Sequence, residues 1–189
     1  RTETNSRVGI ARKLSCLRSF YEYLCKRQLL SENPVRLIDM PRLKEKAIIQ
    51  LDPDEIAALL DYMENYGNGL TGVQLYHYNK QKYRDIAIVT LLLGTGIRVS
   101  ECVGLNISDV DFKNNGIRVL RKGGNEMVVY FGLEVEAALK DYLELSRNKI
   151  TPLSGHENAL FLSGQRKRIS VDAIEKMVKK YSSAISVKT

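Results

Sequence analysis

The chain has 189 residues, 44% hydrophobic and 27% charged, the proportions of an ordinary globular protein of one domain or two small ones. Its longest apolar run, Ile86 to Leu93 broken by Thr90, is far too short to span a bilayer, and no N-terminal signal pattern is visible. The formal net charge is +7, and residues 1–48 alone carry eleven Lys/Arg against five Asp/Glu, so the excess implies a polyanion partner for that segment or a solvated basic helix face.

Residues 6–30 are expected to form an amphipathic helix. Ile10, Leu14, Leu17, Tyr21 and Leu24 recur at helical spacing with Phe20 beside them, while Arg7, Arg12, Arg18, Lys26 and Arg27 spread over the rest. Ser31-Glu32-Asn33-Pro34 should stop it, because Pro34 pushes Asn33 out of helical angles. One helix cannot bury its own stripe, so other helices must cover it. Asp39 to Lys46 looks like a charged linker.

Asp52-Pro53-Asp54-Glu55 carries a helix start, with an N-cap, a proline at the first helical position and a capping-box glutamate. Asn65 to Gly72 is expected as a Gly-rich loop, followed by a central buried helix from about Lys80 to Leu93. Two strands, Gly116–Arg121 and Met127–Phe131, should pair across a Lys122–Glu126 hairpin whose glycines take left-handed positions. Helical spacing returns over Leu133–Arg147. Ala159–Leu162 is a short strand candidate, and Ser170 caps a last helix, Val171–Ile185. The expected fold is mostly α, α+β, with a small antiparallel sheet. The expected division is 1–43 a helical piece, 44–49 a linker and 50–189 the main domain.

Cys16, Cys25 and Cys102 are odd in number and form no CxxC pair, so buried reduced thiols in a cytoplasmic protein are expected. His77 and His156 are isolated, and no metal site is read. Arg98 is the unusual residue, a charge between Ile97 and Val99 on a segment that looks packed. Such an arginine is costly unless something anionic meets it.

Leu93-Gly94-Thr95-Gly96-Ile97-Arg98-Val99-Ser100-Glu101-Cys102-Val103-Gly104-Leu105 resembles the first signature box of the tyrosine recombinases, the phage-integrase and Xer-type family, in a version like that of conjugative-transposon integrases. Asp109–Phe112 and Arg121-Lys122-Gly123-Gly124-Asn125-Glu126 resemble the acidic-apolar segment and the lysine-bearing hairpin that follow it. The box and hairpin together are fairly specific, whereas either alone is weak. The resemblance covers most of residues 10–185. It implies a helical catalytic domain at 50–189, preceded at 1–43 by part of a DNA-clasping domain on the opposite face of the duplex.

The resemblance also implies a chemistry. A tyrosine attacks a DNA phosphodiester and forms a 3′-phosphotyrosyl link, without metal, nucleotide or other cofactor. Arg98 would give two parallel hydrogen bonds to the phosphate oxygens, which a lysine cannot copy. Glu101, one turn on, would orient or neutralise it. Lys122 would act as general acid on the leaving 5′ oxygen. Gly94 and Gly96 would let the chain turn sharply near the phosphate. Arg7, Arg12, Arg18, Thr95, Arg121, Arg166, Lys167 and Arg168 are the DNA-contact candidates. Other readings stay open beside these. Arg98 is otherwise a structural arginine paired with Glu101, and Lys122 an ordinary turn residue. Arg166–Arg168 is otherwise a solvated loop, and Arg121 an outward strand residue. The expected partners are double-stranded DNA, a homotetramer of the intact parent and accessory DNA-bending proteins, with no membrane.

The sequence also departs from the family. It has no His-x-x-Arg box, and no tyrosine follows Gly155-His156 at suitable spacing. Tyr181 sits on an amphipathic helix with apolar neighbours and reads as core or helix surface. With no starting methionine, the chain looks cut at both ends, and alone it is expected not to cleave DNA. The alternative is a non-catalytic DNA-binding module or regulator of the same fold. A type IB topoisomerase is a weaker third reading, against which the spacing of the box argues.

Overall fold

The structure is a computed structural model and describes residues 5–43, 51–121 and 123–185. The chain divides into two compact units, Arg1–Gln50 and Leu51–Thr189. In the first, α1 spans Arg7–Lys26, with Ser6 as N-cap accepting from the Gly9 N–H at 3.1 Å. It ends before the expected stop because Gln28 takes φ +58°. The Gln28 N–H then bonds Cys25 O at 2.9 Å and the Leu29 N–H bonds Leu24 O at 3.0 Å, a Schellman motif without glycine. Of the expected apolar stripe, Ile10, Leu17 and Phe20 are exposed and Leu14, Tyr21 and Leu24 half-buried, while Ala11 is buried. The linker expectation falls largely on residues 44–50, outside the described residues.

In the second unit, α2 (Pro53–Asn65) starts as its sequence dictates. Asp52 Oδ1 accepts from the Glu55 N–H at 2.8 Å, and Glu55 Oε2 accepts from the Asp52 N–H at 3.0 Å. Next comes α3 (Gly72–Thr95), which begins about two turns earlier than the expected Lys80. Tyr78 explains the extension. Its ring is buried and its hydroxyl lies 3.0 Å from Met63 O and 2.5 Å from Glu64 O, so the early turns dock on α2. Further along, Ala87, Ile88, Val89 and Leu91 are buried, which makes α3 the central helix that the apolar run implied.

Helix α4 (Val99–Gly104) leads into a 3₁₀ turn, Ile107–Asp109, and a three-stranded antiparallel sheet. The strands are β1 (Val110–Asp111), β2 (Gly116–Leu120) and β3 (Glu126–Tyr130), in spatial order β1-β2-β3. Val110 faces Ile117, and Ile117 faces Val129. Gly123 and Gly124 close the hairpin at φ +97° and +83°, as the sequence required. Of the three strands, β1 was not foreseen, since two residues carry no periodicity. After the sheet come α5 (Leu133–Leu145), a 3₁₀ turn at Arg147–Lys149, and α6 (Val171–Ile185). Helix α3 packs on α2, α4 and α5, while α2 and α4 both meet α6. No described helix is long and apolar enough to cross a membrane.

Ala159–Leu162 is fully buried but bends at Leu160 and Phe161 and forms no strand. It makes isolated bridges to two different places, Asn106↔Ala159 and Leu162↔Arg168, so no ladder can grow. Side chains meet three of its four carbonyls. Arg147 Nε bonds Ala159 O at 3.1 Å, Tyr142 Oη bonds Leu160 O at 3.0 Å, and Arg84 Nη1 bonds Leu162 O at 3.0 Å. The Tyr142 ring also stacks on Phe161, with centroids 5.3 Å apart.

Candidate functional site

The site forms where α3 gives way to α4. Gly96 takes φ +64° and its N–H bonds Leu92 O at 3.0 Å, ending α3 in the left-handed conformation that glycine adopts most cheaply. Gly94 does something else. It lies inside α3, and a Cβ there would sit 2.6 Å from Val135 Cγ2, so its role is close packing on α5 rather than a sharp turn. Thr95 Oγ1 bonds back to Leu91 O at 2.5 Å.

Ile97 is buried and anchors the crossing, while Arg98 turns outward with its side chain 71% exposed. The apolar neighbours therefore do not bury the arginine. The buried charge is its partner, Glu101, whose side chain is only 5% exposed. Glu101 Oε2 accepts from the Arg98 backbone N–H at 2.9 Å, and Oε1 accepts from Arg98 Nη1 at 3.0 Å. One carboxylate thus fixes both the start of α4 and one edge of the guanidinium. The backbone hydrogen bond from Arg98 is the main influence holding the Glu101 carboxyl below its usual range. Burial opposes it, and the Arg98 and Arg121 guanidinium charges reinforce it. The remaining guanidinium donors face outward, which is the geometry a bound oxyanion needs.

Within α4, Cys102 is fully buried and its thiol is pushed up to about 12 by burial, so it is inert. Cys16, expected to be buried, is exposed. A cavity of about 450 Å³ opens between α4 and the sheet, lined by Glu101, Asp109, Glu126 and Arg118 among others. Arg118 is paired with Asp109 at 3.0 Å, so this cavity is acidic in balance and unsuited to phosphate. Among the described residues no three His, Cys, Asp or Glu side chains gather into a metal-binding group.

The expected DNA contacts scatter. Arg7 and Arg12 are exposed on α1. Arg18 is half-buried instead, with Nε bonding Val35 O at 3.3 Å and Nη2 bonding Ile38 O, so it ties the 33–38 turn to the helix. Arg121 is exposed at the end of β2 and within electrostatic reach of Glu101. Lys122 lies outside the described residues. The basic triplet splits. Arg166, at φ +63°, and Lys167 are exposed in a turn, whereas Arg168 is half-buried with three hydrogen bonds to protein acceptors. That role is not legible in the sequence, and neither is the buried Arg84–Asp85 pair, bonded at 2.6 Å, with Tyr181 Oη 3.2 Å from Asp85 Oδ2. The one available signal was two adjacent charges at the head of an apolar run. Tyr181 is core, one of the two placements its helix pattern allowed.

Comparisons with known proteins agree with this architecture. The phage integrase family matches residues 50–188. The chain is 35% identical over 181 residues to the tyrosine recombinase XerC of Caldanaerobacter subterraneus subsp. tengcongensis, covering 94% of this chain and 45% of that protein. It is 36% identical over 185 residues to XerC of Thermodesulfovibrio yellowstonii, covering 96% and 57%. The chain thus spans about half the length of the curated relatives it matches. The Tn1549 transposon integrase, solved in complex with circular intermediate DNA, shares the fold with a TM-score of 0.66 at 22% identity, over 95% of this chain and 59% of that one. A helical domain with a small antiparallel sheet, a signature box at the α3–α4 junction and a family match over residues 50–188 lead to one conclusion: the chain belongs to the phage integrase family of tyrosine recombinases.

Proposed function

We propose that this chain is part of a site-specific recombinase that cuts and rejoins duplex DNA through a 3′-phosphotyrosyl intermediate, and that Arg98 holds the scissile phosphate. The observation that carries the reading is the outward guanidinium of Arg98, oriented from below by the buried Glu101 carboxylate. A pre-oriented planar donor stabilises the charge that grows on the non-bridging oxygens without reorganising during the reaction. In this scheme a tyrosine hydroxyl attacks phosphorus, the bond to the 5′ oxygen breaks, and Lys122 gives that oxygen its proton. The tyrosine is assigned to sequence outside these 189 residues, because no tyrosine follows Gly155-His156 at the family's spacing, and Tyr181, which does follow, is buried in the core with its hydroxyl bonded to Asp85.

The same reading places Arg7 and Arg12 on the DNA backbone and Arg121, Arg166 and Lys167 beside the reacting phosphate, with residues 1–43 and 50–189 as the two halves of a clasp. The intact protein would work as a homotetramer on two DNA sites, aided by accessory DNA-bending proteins. Integration of a mobile element is the specific role proposed, on the likeness of the box to conjugative-transposon integrases. Excision or dimer resolution would use the same site. The alternative, a non-catalytic DNA-binding module, draws on the same burial of Tyr181.

The test uses the 189-residue chain and a fluorescent duplex. Binding should be weak, on the order of 10⁻⁴–10⁻⁶ M at physiological salt, and should fall steeply as salt rises. Arg98→Ala should weaken it roughly tenfold and reduce the salt slope by about 1. No covalent adduct should survive denaturing electrophoresis. A salt-independent affinity, or an unchanged affinity in Arg98→Ala, would overturn the phosphate role. An adduct would overturn the assignment of the tyrosine.

A further inference from the structure

We propose that Arg168 is a positioning residue for Arg98, acting through α4. The inference rests on the phosphate role given to Arg98 above. Helix α4 has six residues, too few to hold its own shape, and its last carbonyls have no partner within the helix. Its N-terminal end is held by Glu101. Its C-terminal end is held by Arg168, from sixty-three to sixty-five residues away in sequence. Arg168 Nη1 bonds Val103 O at 2.9 Å and Leu105 O at 2.7 Å, and Nη2 bonds Asn106 Oδ1 at 2.6 Å. A planar fork can reach these three acceptors together, whereas an ammonium group cannot meet all three in the same directions.

The clamp is itself rigidly mounted. Arg168 bridges Leu162, and the next N–H, of Ile169, bonds Phe161 O at 3.0 Å. Phe161, Leu162 and Ile169 are all buried. The buried 159–162 segment is therefore the base from which Arg168 grips α4. From there the hold passes along one helical turn to Glu101 and on to the Arg98 guanidinium. A bidentate phosphate contact tolerates only about 0.5 Å of misplacement, so a loosened α4 should cost affinity even though Arg168 touches no phosphate.

A double-mutant cycle on duplex binding separates the possibilities, using the 189-residue chain as wild type, Arg168→Lys, Arg98→Ala and the double variant. Arg168→Lys should weaken binding roughly three- to tenfold with Arg98 present and have no effect in the Arg98→Ala background. An equal loss in both backgrounds would mean that Arg168 meets DNA directly and would overturn the proposal, as would no loss in either. If Arg98→Ala itself leaves binding unchanged, the phosphate role fails first and the proposal falls with it, a result distinct from the other two. If Arg168→Lys fails to fold by circular dichroism, Asn106→Ala replaces it, removing one acceptor of the three. Its weakening should be roughly two- to threefold and again confined to the Arg98 background.

Discussion

Helices α1 and α3 carry the same kind of sequence signal and meet opposite fates. Both have a run of large apolar residues at helical spacing. In α1 only Ala11 is buried, while Leu17 and Phe20 stay 45% and 54% exposed. In α3 the run from Arg84 to Leu91 is buried apart from a half-buried Ile86, and two charged residues are carried inside with it. An apolar stripe specifies that a helix can be covered, but neighbours decide whether it is. Helix α3 has α2, α4 and α5 around it, and the price of that enclosure is that every polar group inside must find a partner.

The sharpest way to break this contrast is to remove such a partner. Arg84 is 8% exposed and donates to Asp85, Gln81 and Leu162 O. Arg84→Met should cost about 3–5 kcal/mol in urea unfolding, because it leaves a buried carboxylate uncompensated. The loss should also depend on pH. Burial is the main influence raising the Asp85 carboxyl above its ordinary 3.8, and Arg84 is the main influence holding it down. The folded state therefore keeps this proton to higher pH than the unfolded chain does, so stability falls as pH rises from about 3.8 through the folded value. Without Arg84 that window extends upward, and the gap between variant and wild type should widen as pH rises above about 3.8. A loss below about 1 kcal/mol would show that water reaches this pair and that α3 is less enclosed than its neighbours suggest.

A smaller effect tests how closely α3 is packed. The Cβ of Gly94→Ala would meet Val135 Cγ2 at 2.6 Å, and valine has little rotamer freedom with which to yield. The expected cost is about 1–3 kcal/mol by thermal or urea unfolding. Gly94→Ala combined with Val135→Ala should cost less than the two separate losses added together. Simple additivity would mean that α3 and α5 move apart instead, and that this glycine is not what sets their distance.

What was legible in the sequence follows the range of the forces involved. The capping box at Asp52, the glycine-closed hairpin and the apolar body of α3 are local patterns, and the structure reproduces them. The pairing of Arg98 with Glu101 was also within reach, since the residues are one turn apart. Which of the two is buried was not legible, because flanking apolar residues do not reveal which member of a pair points inward. Arg168 on α4, Tyr78 on α2 and Arg147 on Ala159 depend on contacts between segments distant in sequence. No spacing rule encodes those. The strand expected at Ala159–Leu162 failed for a related reason: its burial was correct, but its backbone partners are mostly side chains and single bridges.

The gentlest probe falls on the other unit, where α1 ends at Gln28 with φ +58°. A side chain in this region costs an L-residue roughly 1–2 kcal/mol, whereas glycine adopts it freely but loses more backbone entropy on folding. Gln28→Gly should therefore stabilise the end of α1 by a net amount of about 0.5–1 kcal/mol. Amide exchange at Gln28 and Leu29, whose N–H groups close the motif, should slow roughly two- to fivefold. The second unit should not respond. Faster exchange would mean that the Gln28 side chain holds the turn by a contact worth more than its strain. With so little of α1 buried, the end of this helix would then depend on one polar residue rather than on its backbone motif.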